Sequence, residues 1–577
     1  MSVHQQTLWN GQKATNVLKD KVINMRKTPF LIGFICISLF ASAAGNQKTQ
    51  DTRTFRISKN LSIFNSVFRE LDAFYVDTLN YDKMNANAIN EMLSRLDPYT
   101  VYIPEKETDN LKFMTTGEYA GIGALITKSG KDIYVSEPYE GMPAQRNDVR
   151  AGDIILEVDG KSVTGLSVSD VSAKLKGIPN TTIKLKIKRL GANKPIEKEF
   201  LREKIQVNPI TYSALVAPKT GFVQLSDFTD KSASELKNAV AELVKNQQIE
   251  SLIIDIRNNG GGLIDEAVKI VGFFVPKGSE VVQTKGKSKF TERTYKTPVE
   301  PVFPNLQLAI LVNRSSASAS EILAGAIQDL DRGIIIGERT FGKGLVQNIR
   351  PIGYGGHLKV TTAKYYIPSG RCIQAIDYTH RNEDGSVGRV PDSLTTEFST
   401  SNGRKVRDGG GIVPDVKTTD ERKMNIAYYI FAQNLYFEFA NQYSATHQDI
   451  AKPTDFKLDE DDFQAFKDFL KEKKFTYTTE TEKMYKEFLE LAKSEGIDKY
   501  ADSELKALEA KLKPDIQLNI DDNKKDIIEL LSLEIIKRYY FQKGEIEYSL
   551  KTDVDLKTAI EKLDDKPFYT KTLSAEK

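Results

Sequence analysis

The run Leu252-Ile253-Ile254-Asp255-Ile256 opens directly into Arg257-Asn258-Asn259-Gly260-Gly261-Gly262, and a helical pattern follows from Leu263. A short apolar run without polar alternation is the pattern of a strand covered on both faces. Around it, Gly221-Phe222-Val223-Gln224-Leu225 reads as another strand and Ser234 to Lys245 as a helix. Leu308 to Val312 and Ile334 to Gly337 continue the alternation. Strands alternating with helices predict an α/β unit over residues 204–420, with helices covering a sheet.

At 577 residues the chain is too long for one core, and roughly three to five domains are expected. Upstream, Ile57, Leu61, Phe64, Val67, Phe68 and Leu71 recur at helical spacing, and Ile89, Met92, Leu93 and Leu96 do so again before Asp97-Pro98. Proline disfavours helix in the residue before it, so the second helix should stop there. Residues 117–203 switch to short strands between glycine turns, with strict alternation in Ile183-Lys184-Leu185-Lys186-Ile187 and an amphipathic helix from Val168 to Leu175. Beyond residue 420 the chain is charged, with helical apolar spacing in Tyr428–Tyr443, Phe463–Leu470, Met484–Ala492 and Ile527–Tyr540. The domains expected are therefore 1–45, 46–116, 117–203, 204–420 and 421–577.

The first of these has the pattern of an export signal. Lys19, Lys21, Arg26 and Lys27 precede an apolar run from Phe30 to Phe40, and Ala41-Ser42-Ala43-Ala44-Gly45 supplies small residues for cleavage. The run is short for a membrane span, which takes about 20 residues. An extracytoplasmic protein, in a bacterial periplasm, is expected; membrane association through the uncleaved segment and a homo-oligomer stay open. Cleavage would remove Cys36 and leave Cys372 alone, so no intramolecular disulfide is expected. A net charge of +2 without a basic stripe gives no sign of nucleic-acid binding.

The chemistry concentrates in Ser315-Ser316-Ala317-Ser318-Ala319-Ser320-Glu321 and in Phe341-Gly342-Lys343-Gly344. A serine hydroxyl needs a base to take its proton, and a desolvated lysine can serve. This pattern suggests a hydrolase of the Ser-Lys kind. Ser318 to Glu321 also forms a capping box at the start of a helix carrying Ile322, Leu323, Ala326 and Ile327, a purely structural use for the same serine. A helix N-terminus stabilises the charge of a tetrahedral intermediate, and the glycine triplet could direct amides to the same place. Of the histidines, His357 alone lies near these segments, and a Ser318–His357 pair with Asp329 or Asp331 is the alternative. No metal-ligand spacing is present, and no cofactor is expected.

Residues 117–203 resemble a PDZ domain. Gly121-Ile122-Gly123-Ala124 stands where that family has its carboxylate loop, and Gly152-Asp153-Ile154-Ile155 through Val158-Asp159-Gly160 where it has its core signature. Such a loop captures a peptide's C-terminal carboxylate on backbone amides while the next strand pairs with the peptide. More specifically, the serine run, Thr340-Phe341-Gly342-Lys343-Gly344-Leu345-Val346-Gln347, Asp255 to Gly262, Tyr366 to Arg371, Gly410 to Asp415 and Asp97 to Thr100 resemble the C-terminal processing (tail-specific) peptidases. In that family the nucleophile precedes the lysine by 25 residues, which selects Ser318 over Ser316 and Ser320.

The resemblance implies a crotonase/ClpP-like α/β protease core, preceded in order by N-terminal helices and a PDZ domain and followed by a helical domain. It implies Ser318 as nucleophile, Lys343 as general base, Gln347 as the residue holding lysine or substrate, and Ala319 and Gly261 amides as oxyanion hole. Gly121, Ile122, Gly123 and Ala124 would bind peptide, with Arg150 as the PDZ contact to the active site; Ala151 replaces the family's usual proline beside it. The activity implied is endopeptidase cleavage of proteins near free C-terminal tails. The competing expectation is a non-catalytic PDZ scaffold that binds tails without cutting them.

Overall fold

The computed structural model describes residues 36–108, 116–382, 385–418 and 425–574, and the expected export segment lies largely outside them. Among the described residues no helix is long and apolar enough to cross a membrane. The chain divides into two units, one up to Asn85 and one from Ala86 onward. In the first, the helix Cys36–Phe74 carries Phe64 and Phe68 with ring centroids 4.9 Å apart, and the Tyr81 hydroxyl donates to Asp72 at 2.5 Å. The helix Tyr81–Ser94 ends short of Asp97-Pro98, as the proline requires.

The first strand of the second unit is Val101–Ile103, and an antiparallel sheet follows. Its order is Ala124–Ser129, Asp132–Pro138, Ile154–Val158, Thr182–Lys188, Ile196–Leu201. Alternate residues Ile183, Leu185 and Ile187 face inward and meet Val171 and Leu175 of the helix Val168–Leu175. Polar partners between them face water, which is why the strand alternates.

A six-stranded sheet carries the serine turn. Its strands run Ile210–Ala217, Thr220–Leu225, Ser251–Asp255, Gln307–Val312, Ile334–Gly337 and Val416–Lys417; the first pair is antiparallel and the rest are parallel. Leu252 and Ile254 pack under the helices Ser232–Gln247, Ile264–Val271 and Ala319–Asp329. Ile253 faces the other way, onto Leu556, Ala559, Leu563 and Tyr569 of the terminal helices Val554–Asp564 and Lys566–Leu573. Both faces are dry, which explains the unbroken apolar run. Arg257, just past its end, pairs with Asp255 and with Asp553 and Asp555 at 2.6–2.9 Å, fastening the last helices to the sheet.

A third sheet presents the lysine segment. Leu345–Gly353 and Gly356–Tyr366 form a hairpin, and Gly356–Tyr366 also pairs with Glu280–Gly286 and with Val101–Ile103. Helices from residues 426–472 and 516–549 share their own core of Phe439, Phe466, Phe469, Ile527, Leu531 and Ile535. One helix expected over Tyr428–Tyr443 is two, Ile426–Ala432 and Leu435–Thr446, because Asn434 sits at φ 62°, a left-handed conformation asparagine tolerates better than most residues. Against the PDZ-like sheet, Phe437 meets Tyr134 edge-on at 6.0 Å and the Gln542 amide donates to Glu137 at 3.1 Å.

Leu556 is buried against the sheet. Leu556→Ala should therefore destabilise the protein by about 2–5 kcal/mol, measured by urea unfolding followed through sheet-dependent circular dichroism.

Candidate active site

The strand Gln307–Val312 leads through a turn into the helix Ala319–Asp329, and the three inner serines of that turn separate by environment. Ser316 and Ser320 are fully buried, and their hydroxyls donate to the carbonyls of Ile256 at 2.8 Å and Asn259 at 2.9 Å. They stitch the turn to the glycine-triplet segment. Ser318 between them is only partly buried, and its backbone sits at φ 58°, ψ −114°. Such a conformation costs a non-glycine residue about 1–3 kcal/mol and persists only when the surroundings enforce it.

Glu321 does the enforcing. Its carboxylate is completely buried and accepts four hydrogen bonds: from the Ser318 amide at 2.9 Å, the Thr340 hydroxyl at 2.6 Å, the Gly342 amide at 2.7 Å and the Lys343 amide at 2.8 Å. The glutamate of the expected capping box thus reaches both back to the serine turn and across to the lysine loop. Burial pushes its carboxyl up to about 7, with the four donors pulling the other way. Tyr365, buried in the lysine hairpin, adds a second tie: its hydroxyl donates to the Lys343 carbonyl at 2.6 Å and approaches the Ser318 carbonyl at 3.2 Å. Neither role is visible in the sequence, because the partners lie about 20 to 50 residues away.

The Lys343 amine has no ion-pair partner among the described residues and lies over the Tyr99 ring, 4.3 Å from its centroid. Burial first and Lys359 second lower its pKa to about 8 against the opposing pull of Glu321 and Asp97. Gly342, at φ 87°, abuts Ala375: a Cβ there would stand 2.3 Å from the alanine methyl. Only glycine lets the lysine loop lie this close.

The other expected site residues distribute unevenly. Ala319 opens its helix, and its amide has no hydrogen-bond partner among the described residues. Gly261 does press on the serine turn, with an added Cβ 2.7 Å from that of Ser318, but its amide donates to the Asn259 side chain at 2.9 Å. Gln347 donates to Thr361 at 3.1 Å, on the hairpin beside the lysine. In the PDZ-like sheet, Ile122 and Ala124 line a pocket of about 150 Å³ together with Tyr119, Ile126, Tyr139 and Leu175, while Gly121 and Gly123 are not among its lining residues. The Gly123 and Ala124 amides hydrogen-bond the Tyr119 phenol, whose pKa burial nonetheless raises. Arg150 is exposed and pairs with Asp148 at 2.6 Å.

The histidine alternative loses its carboxylates. Asp329 is buried against Arg371 at 2.7 Å and Asp331 pairs with Arg404 at 2.5 Å, while His357 sits opposite Ile103 at the far end of its strand. Arg371 and Asp415, from two of the sequence motifs, belong to this buried ionic brace, which also joins Arg404 to Asp415 at 2.7 Å. Among the described residues no cluster of side chains could hold a metal ion.

Residues 219–381 match the description of peptidase family S41, 134–189 that of the PDZ domain, and 426–563 that of the C-terminal helical domain of a probable PDZ-protease. A carboxy-terminal-processing protease of Bartonella bacilliformis is 34% identical over 360 residues, 62% of this chain and 82% of that protein. A probable CtpA-like serine protease of Staphylococcus aureus is 33% identical over 373 residues, 63% of this chain and 73% of that protein. Among solved structures, the photosystem II D1 C-terminal processing protease is 31% identical, with a TM-score of 0.35, covering 62% of this chain and 87% of that one.

Glu321→Gln puts an amide NH₂ among four donors and leaves at least one of them unmet. The expected result is a loss of about 1–3 kcal/mol in thermal or urea unfolding, together with a large fall in any hydrolytic turnover at the serine turn.

Proposed function

This chain belongs to the C-terminal processing proteases of peptidase family S41 and is a serine-type peptidase, and we propose that it cleaves proteins near their free C-terminal tails with Ser318 and Lys343 as a dyad. The observation that carries this is the joint at Glu321, which holds one accessible serine and one half-buried lysine on adjacent backbone segments. An ammonium with no carboxylate partner, its pKa lowered to about 8, is suited to giving up its proton and acting as a base.

In this reading the Ser318 Oγ attacks the scissile carbonyl carbon while the Lys343 amine takes the hydroxyl proton. The oxyanion forms beside the Ala319 amide at the start of its helix, with a second donor from the Gly260–Gly262 turn. Gly261 serves as that donor only by releasing Asn259; otherwise its part is close approach. As the tetrahedral intermediate collapses, the C–N bond breaks and Lys343 passes the proton to the leaving amine. Water then attacks the Ser318 ester while Lys343 accepts its proton, and as the Oγ–C bond breaks Lys343 returns the proton to the Ser318 oxygen and the acid product leaves. Gln347 orients the substrate from the lysine hairpin. No step calls for a metal or cofactor.

Substrate tails are received upstream. The loop Gly121–Ala124 takes the terminal carboxylate on its amides, those of Gly123 and Ala124 exchanging the Tyr119 phenol for it, the tail adds to the edge of Ala124–Ser129, and the pocket behind takes the last side chain. Export to the bacterial periplasm through residues 1–45 places the enzyme with its substrates. A non-catalytic scaffold would have no use for an unpaired lysine on a loop tied through Glu321 to an accessible serine.

Ser318→Ala and Lys343→Ala should each lower cleavage of an unfolded protein substrate on the order of 10³-fold or more. Only the neutral amine accepts a proton, so kcat/KM should climb about tenfold per pH unit below about 8 and level off above it. A limb centred near 6.5, or full activity in Lys343→Ala, would assign the base elsewhere. Peptides with an amidated C-terminus should bind at least about tenfold more weakly than the free acids by calorimetry.

A further inference from the structure

We propose that Tyr99 is a positioning residue for the peptidase reaction, its ring face seating the Lys343 amine and stabilising the ammonium that forms when the lysine takes the Ser318 proton. The inference rests on the dyad reading above.

The seat is built from the sequence upward. Asp97, buried ahead of Pro98, accepts hydrogen bonds from the amides of Tyr99 and Thr100, both at 2.8 Å, and from the Thr100 hydroxyl at 3.0 Å. This is an Asx turn, in which a short carboxylate folds the next residues back on itself. The turn is moored to the lysine hairpin twice: the Thr361 amide donates to the Thr100 hydroxyl at 3.1 Å, and Val101–Ile103 pairs with residues 357–359. Tyr378 then braces the ring edge-on, its centroid 6.0 Å away at an interplanar angle of 89°, and its hydroxyl reaches that of Tyr99 at 3.4 Å. A ring fixed on three sides presents one face, and the Lys343 amine lies 4.3 Å from its centroid.

Lys343 is thus held at both ends, its backbone amide by Glu321 and carbonyl by Tyr365, its amine by Tyr99. The charged and titratable groups around the amine are Lys359 on the hairpin, Glu321 on the serine helix, Asp97 in the turn, buried Tyr365, and Tyr378 behind Tyr99. None of the carboxylates pairs with the amine. The ring face is in direct contact with the amine, and its quadrupole favours a positive charge there alongside the more general pull of Glu321 and Asp97. It acts on the protonated lysine and hardly on the neutral one, so it assists the step in which the proton moves.

The experiment compares Tyr99→Leu and Tyr99→Phe in the full chain, reading kcat, KM and the acid limb of the pH profile on a protein substrate. Leucine keeps the site dry and removes the quadrupole. The expected result is a fall in kcat of about 3- to 30-fold with KM little changed, and an acid limb displaced toward lower pH by about 0.5–1.5 units. Tyr99→Phe, which keeps the face, should recover most of both. An acid limb that stays in place in Tyr99→Leu, or a Tyr99→Phe as impaired as leucine, overturns the proposal.

A second readout does not depend on turnover. Nitrogen-detected NMR titration of the Lys343 amine in the Ser318→Ala background should show a lower pKa with Tyr99→Leu and a higher one with Tyr99→Trp, the stronger face. No movement in either variant overturns the proposal. If cleavage survives Lys343→Ala, the dyad reading itself has failed; if it is lost while the titrations stand still, only the role of Tyr99 has.

Discussion

A single buried carboxylate joins the two halves of the site. Glu321 sits in the first turn of a helix under the main sheet, and its four acceptor contacts bind the serine turn to the loop that carries Lys343. An isolated carboxylate in such a place is strongly disfavoured, and satisfying it with four donors makes the arrangement tolerable. Each donor belongs to backbone or to Thr340, so the constraint falls on chain path rather than on side-chain rotamers. The positive φ of Ser318 and the glycine at 342 follow from that path.

The surrounding architecture keeps this joint from relaxing. The parallel sheet is covered on one face by the serine helix and its neighbours and on the other by the last two helices of the chain. Arg257 fastens those last helices through Asp553 and Asp555, and the Arg371–Asp329 and Arg404–Asp415 pairs brace the opposite end of the serine helix. Arginine suits both places, since its fork meets carboxylates with several donors at once. The polar motifs around the site therefore divide into a few chemical residues and a larger ionic frame.

Much of the fold was legible in the sequence because it depends on local pattern. The unbroken run Leu252–Ile256, the alternation at Ile183–Ile187 and the stop before Asp97-Pro98 each report burial or backbone geometry within a few residues. The spacing of Ser318 and Lys343 pointed to the right family, and the environments of Ser316 and Ser320 show why a serine-rich turn needs three serines with different duties. Contacts between distant segments left no local trace. Glu321 read as half of a capping box, and a carboxylate followed directly by Ile322 and Leu323 was the available sign that it would be buried. Tyr99 lay in the matching segment Asp97 to Thr100 but neither it nor Tyr365 showed its contact in the sequence, since their partners lie about 250 and 20 residues away. The hydrogen bond from the Gly261 amide to Asn259 and the break at Asn434 depend on backbone angles that residue types only permit.

The account stands on Ser318 forming an ester with the substrate's acyl group. Acid-quenching the enzyme during turnover of an activated peptide ester, then mapping the adduct by mass spectrometry, tests this most directly. The prediction is an acyl group on the fragment containing Ser318, at that residue, accumulating when Lys343 is protonated below about pH 8 slows its hydrolysis, and absent from Ser318→Ala. An adduct on Ser316, Ser320 or another nucleophile, or undiminished turnover in Ser318→Ala, would contradict it.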